Sequence, residues 1–180
     1  GLLYLTGFNI WGTKAKGKTF LGRVRPNLKR TWTIPTHAQV AKRGIFLRFA
    51  TPLDPQSASK PASYEVSRWN YKRTPNYGSP HYQLDGTKGT ETLVVASVKL
   101  SDDKQAVFLG IPDMREVMQI EVGYKIAAAD DSPIQNKTFL TAHILSKLSL
   151  VKQGFADDQV NLEVDGLAPI AKRPAKPSLE

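Results

Sequence analysis

The chain has no cysteine in 180 residues. That excludes disulfides, thiolate catalysis, cysteine-ligated zinc, iron–sulfur clusters and CxxCH haem attachment. It also lacks any apolar run of about 18 residues, so no membrane span is expected. Residues 1–53 contain ten Lys or Arg and no Asp or Glu, while the rest of the chain is close to neutral. The net charge of +9 is therefore concentrated at the N-terminal end, and an anionic partner would be met there. No HExxH, G-x-S-x-G or EF-hand spacing occurs, and no period of 20–50 residues marks a repeat array. The chain starts at Gly1 without an initiator Met or signal peptide and ends in Leu179-Glu180. It is expected to be a piece of a longer protein, so missing targeting signals carry no weight.

An apolar share of 41% supports a real core. The clearest pattern is Met118-Gln119-Ile120-Glu121-Val122-Gly123-Tyr124-Lys125-Ile126, which alternates apolar and polar positions. Period two predicts a strand with Met118, Ile120, Val122, Tyr124 and Ile126 facing the core. The same logic predicts strands over 44–50 (Ile45, Leu47 and Phe49 inward), 63–69 (Tyr64, Val66) and 92–100 (Val94, Ala96, Val98, Leu100). It also predicts strands over 106–111 (Val107, Leu109, Ile111) and 138–145 (Leu140, Ala142, Ile144). Ser101-Asp102-Asp103-Lys104 and Asp130-Asp131-Ser132-Pro133 read as turns. One helical turn is expected in 55–62, capped by Ser57, and 159–164 offers one more strand.

Many short strands and little helix predict an all-β fold, an antiparallel β-sandwich of Ig-like type with irregular ends. Its segments are 1–31, basic and a candidate remnant of a preceding domain; 32–147, the sandwich; and 148–180, an extension whose last part is expected to be disordered.

Gly44-Ile45-Phe46-Leu47-Arg48-Phe49, then Pro52-Leu53-Asp54, Ser57 and Tyr64-Glu65-Val66, resembles the opening of bacterial Ig-like modules. Arg68-Trp69-Asn70-Tyr71, Asn76–Tyr82 and Gly110-Ile111-Pro112-Asp113-Met114 resemble the C-terminal region of large secreted planctomycete- and verrucomicrobia-type proteins. In those, such a domain follows a β-propeller similar to glucose/sorbosone dehydrogenases, often with a c-type cytochrome domain elsewhere. Leu3–Phe8 looks like a late propeller strand and Arg23-Val24-Arg25 like its exit. The resemblance implies a periplasmic or extracellular location and an oxidoreductase or haem context for the parent protein. It implies neighbouring domains as partners and gives this chain no cofactor and no catalytic residue.

The stretch with the most functional content is Arg68 to Tyr82. It holds four aromatics, three basic residues, His81, two prolines and no acid. A regular strand through Tyr64 and Val66 turns Arg68 toward the core, unfavourable unless its head escapes or pairs, and Trp69 outward. A bulge near Ser67 or Arg68 would switch parity and bury Trp69. Without one, the aromatics form an exposed row able to stack on sugar rings or bases. The expected outcome is the bulge, with Trp69 packed in a structural corner. The alternative is a carbohydrate-binding module stacking polysaccharide on Trp69, Tyr71, Tyr77 and Tyr82. Arg68, Trp69, Tyr71, Tyr77, His81 and Tyr82 are the candidate binding residues.

Other features have plainer readings. The basic stretch Lys14–Arg30 is compatible with nucleic acid or an anionic polysaccharide, but no RRM, KH or OB signature accompanies it, so no specific nucleic-acid partner is assigned. It reads as a solvated linker or a surface facing an acidic neighbour. His37, His81 and His143 are isolated in sequence, and no metal site is assigned. Asp102-Asp103, Asp130-Asp131 and Asp157-Asp158 read as turn chemistry rather than calcium or glycosidase carboxylates. The expected function is a non-catalytic structural or interaction module.

Overall fold

In the computed structural model, residues 3–8, 19–25 and 31–164 are described. The chain divides into two compact units, 1–31 and 32–180. The first contains an antiparallel hairpin of β1 (Leu3–Phe8) and β2 (Thr19–Val24). Most of the Lys14–Arg30 stretch lies outside the described residues, as does the tail expected to be disordered.

The second unit is antiparallel and all-β in its sheets. Its strands are β3 (His37–Ala41), β4 (Gly44–Arg48), β5 (Tyr64–Trp69), β6 (Glu91–Leu93), β7 (Ser97–Leu100), β8 (Ala106–Gly110), β9 (Val117–Ala127) and β10 (Pro133–Ala142). They form two four-stranded sheets, ordered β10-β9-β5-β6 and β3-β4-β8-β7. Between the sheets lies one core, to which Ile45, Leu47, Phe49, Leu53, Val66, Val107, Leu109, Ile111, Ile120, Val122 and Ile134 contribute nearly all of their surface. The Phe49 and Tyr124 rings meet edge to face at 5.5 Å inside it.

Alternation placed Ile120, Val122, Tyr124 and Ile126 correctly, but Met118 is 43% exposed and Val117 is buried in its stead. The cause is a register shift: β9 takes three steps from Val117 to Ile120 while β10 takes two from Ala142 to Leu140. Such an extra residue flips parity for everything beyond it. The strand expected over 92–100 is two strands in different sheets, β6 and β7. The chain crosses between sheets there, so Leu93 is buried and Val94 exposed. Strand β10 ends at Ala142, and Ile144 is 81% exposed.

The short helix α1 (Pro55–Ala58) is capped by Asp54, not Ser57. The Asp54 carboxylate accepts from the Gln56 and Ser57 amides, as an N-cap does. Ser57 Oγ instead accepts from the Ala127 amide and ties α1 to β9. A one-turn 3-10 helix (Pro61–Ser63) leads into β5.

A second, smaller core covers the outer face of the β3-β4-β8-β7 sheet. Leu150 and Phe155 pack with Phe46, Phe108, Ala41 and Ala106, and Leu148 and Val160 flank them. These four come from the segment after 147, which runs across the sheet as a strap. Arg43 donates to the Leu148 and Asp158 carbonyls, Arg48 to that of Gln153, Ser97 Oγ to that of Asn161 and Lys99 to that of Gln159. The Asp158 carboxylate accepts from the Leu150 and Val151 amides. Residues 159–164 form no strand. Side chains, not a β ladder, hold that part down. Gly110 makes room for it: a Cβ there would lie 2.5 Å from Ser97 Oγ and 2.8 Å from Val160 Cγ1.

Candidate functional site

Strand β5 is regular from Tyr64 to Trp69, each residue paired in turn with β9 from Tyr124 to Gln119. The bulge expected near Ser67 or Arg68 is absent; the irregularity belongs to β9. Arg68 accordingly faces inward and Trp69 outward, yet both are buried, each 4% exposed. Two separate devices resolve the conflict.

Arg68 pairs. Its Nε donates to Glu91 Oε2 at 2.5 Å, one terminal nitrogen to the Asp113 carbonyl at 2.5 Å and the other to Asp113 Oδ2 at 2.6 Å. Glu91 sits directly opposite on β6, and Asp113 comes from the β8–β9 connection. Asp113 Oδ1 also accepts from Arg115, and Glu91 Oε1 from the Leu84 amide. The guanidinium is thus a fixed fork tying β5 and β6 to the β8–β9 connection, the geometry that suits an arginine and a lysine could not copy. The Arg68-Trp69-Asn70-Tyr71 and Gly110–Met114 motifs, far apart in sequence, meet at this ion cluster.

Trp69 is covered from outside by the loop between β5 and β6. The His81 ring stacks on the indole at 4.3 Å and 16° between planes. Tyr71 meets both rings edge-on, at 6.5 Å from Trp69 and 5.9 Å from His81. Among the described residues the Trp69 Nε1 has no hydrogen-bond partner, so apolar packing and stacking hold the ring. The loop is closed at its base by reciprocal hydrogen bonds between Asn70 and Tyr82, at 2.7 and 2.9 Å. Tyr82 is partly buried and carries the Lys72 ammonium 4.1 Å above its ring, a cation–π contact. Tyr77 stands fully exposed at the loop tip, beside Gly78 at a φ of 80°.

The structure thus brings Trp69, Tyr71 and His81 into one packed group, sets Tyr82 in a second contact with Lys72, and leaves Tyr77 apart. The rings are neither coplanar nor all exposed, as a flat stacking row would require.

Among the described residues no cluster of three or more His, Asp or Glu could hold a metal ion. His37 lies tilted on Phe46 at 5.8 Å, and His143 is exposed. Each acidic pair contributes to turn chemistry: Asp103 accepts from the Gln105 amide, Asp130 from Ser132 and Asp157 from Gln159. Asp103, Asp130 and Asp157 are correspondingly held below the usual carboxylate range, with hydrogen bonds from Arg48, Ser132 and Lys99 as the leading causes. Burial pushes the Tyr124 phenol up to about 12, and its hydroxyl donates to the Thr33 carbonyl at 2.8 Å.

A feature that sequence reasoning missed is a groove of about 540 Å³ on the outer face of the β10-β9-β5 sheet. Its lining includes Glu65, Gly123, Lys125, Gln135 and Lys137. The signal that could have found it is Gly123, a glycine at an outward position of the most regular strand. No family model, curated protein or solved structure matches the chain.

Proposed function

We propose that this chain is a non-catalytic structural and interaction module, a sandwich of Ig-like type, within a larger extracytoplasmic protein of oxidoreductase or haem context. Neighbouring domains of that protein are its partners. One observation carries the non-catalytic reading of the Arg68–Tyr82 stretch. Most of its charged and aromatic groups are engaged within the fold: Arg68 by Glu91 and Asp113, Lys72 by the Tyr82 ring, and Trp69, Tyr71 and His81 by one another. Groups so committed serve packing rather than turnover. The Ig-like and extracytoplasmic parts rest on the motif resemblance.

Trp69→Ala tests the reading. Loss of a buried aromatic should lower stability by about 3–5 kcal/mol in urea unfolding. Gel filtration after incubation with haem or quinone should recover the protein free of cofactor, and a broad hydrolase screen should show no turnover. A Trp69→Ala protein of unchanged stability, or stoichiometric retained cofactor, would overturn it.

A further inference from the structure

The outer face of the β10-β9-β5 sheet is a grid fixed by register. Gln135 lies opposite Lys125; Lys137 and Glu65 flank Gly123; Phe139 and Ser67 flank Glu121; and Gln119 lies opposite Trp69. The Trp69 end is roofed by His81. The groove occupies the other end, with Gly123 in its lining.

Gly123 is not required by its backbone. A Cβ there would make ordinary contacts, 3.6 Å from the Glu65 carbonyl and 3.9 Å from Lys137 Cγ. Glycine weakens a strand interior and often marks a close approach by a ligand. Here it is part of the groove's lining, where a larger side chain would take up space. The walls carry polar groups open to a ligand: among the described residues, the side chains of Lys125 and Gln135 make no hydrogen bond or ion pair, and Glu65 makes none either but lies near enough to favour the Lys137 charge. Lys137 is held by Glu121 at 2.6 Å. Phe139 follows on the same face, 56% exposed.

We propose that this face binds a neutral oligosaccharide in the Gly123 groove. Two ammoniums, Lys125 and Lys137, are balanced by two carboxylates, Glu65 and Glu121, so neither an anionic nor a cationic ligand is favoured. A diol needs donors and acceptors side by side, which Lys125, Glu65 and Gln135 supply. The volume suits a small-molecule site, and Phe139 offers an apolar face to a sugar ring. The site is separate from the Trp69 corner, so it stands whether or not that corner is purely structural.

The test uses the whole chain on an array of neutral and uronate-bearing oligosaccharides, followed by titration with the best neutral binder. Gly123→Val should keep or raise the thermal midpoint and weaken binding at least about tenfold. Lys125→Gln and Glu65→Gln, both exposed, should each weaken it by up to about tenfold. Tyr77→Ala should bind as the parent does. Failure of every neutral glycan at millimolar concentration would overturn the proposal. So would a preference for uronates, retained affinity in Gly123→Val and Lys125→Gln, or lost affinity in Tyr77→Ala. Trp69→Ala stability is a separate readout, so failure here leaves the structural reading of the corner untouched.

Discussion

Strands β4 and β9 belong to opposite sheets of one sandwich and are written in different alphabets. Strand β4, with β8 beside it, is apolar at nearly every position: Ile45, Phe46 and Leu47 are all buried, as are Ala106 to Leu109. Strand β9 alternates, with Ile120, Val122 and Tyr124 in and Glu121, Gly123 and Lys125 out. The difference lies in what covers the second face. The strap puts Leu150 and Phe155 on Phe46 and Phe108, so β4 and β8 are buried on both sides. The outer face of β9 is left to polar groups and to Gly123. A continuous apolar strand therefore signals a missing layer, here supplied by a segment about a hundred residues later.

The sharpest break of this comparison is the same truncation on both outer faces. Phe46→Ala should cost about 3–5 kcal/mol, because it empties the second core. Phe139→Ala, on the open face, should change stability by no more than about 0.5 kcal/mol. Urea unfolding of the two proteins checks both. Equal losses would mean that the strap contributes no core of its own.

The inner faces contain their own contrast, since Arg68 sits where its neighbours are apolar. Asp113→Ala would strip the guanidinium of part of its compensation and should cost about 3 kcal/mol. Arg68→Met leaves the Glu91 and Asp113 carboxylates behind, but these are 21% and 30% exposed and keep the Leu84 amide and Arg115 as partners, so it should cost less, about 1–2 kcal/mol. If Arg68→Met is the worse of the two in denaturant unfolding, the two carboxylates depend on the guanidinium more than it depends on Asp113, contrary to this ordering.

These particulars show what was legible from sequence. Period two found the inward residues of β4, β5 and β8 and most of β9, because those positions depend only on local alternation. It failed at Met118, Val94 and Ile144, where a register shift, a sheet crossing and a strand end intervened; each is set by a distant partner. Phe46 and Phe108 lacked a predicted covering layer because the strap is irregular and carries no period. At the candidate site the composition drew attention to Arg68–Tyr82, and the parity conflict at Arg68 and Trp69 was real. Its resolution was not local. Glu91 and Asp113 lie 23 and 45 residues away from Arg68, and the His81 stack depends on a loop closing over Trp69.

A small, pH-dependent effect is expected at the seam where the covered face meets its strap. Arg48 donates to Asp103 at 2.7 Å and, through its other terminal nitrogen, to the Gln153 carbonyl on the strap at 3.1 Å. The Arg48 hydrogen bond, with help from Ser101 and the Gln105 amide, holds the Asp103 carboxyl at about 2. An unfolded aspartate titrates near about 3.9. The folded value is the lower one, so the pair's stabilisation is fully present above the unfolded value and is lost as pH falls through the folded one. Asp103 is nearly half exposed, and solvent screening limits the contribution to at most about 1 kcal/mol. Asp103→Asn should therefore be slightly less stable than the parent near neutral pH, and the gap should close between about pH 4 and about pH 2. Added salt should narrow the gap at neutral pH, as it screens an exposed pair. Urea midpoints of both proteins across that range decide it. A gap that stays constant with pH would mean that Asp103 acts through the neutral hydrogen bonds of its turn, and that the Arg48 pair does not fasten the strap electrostatically.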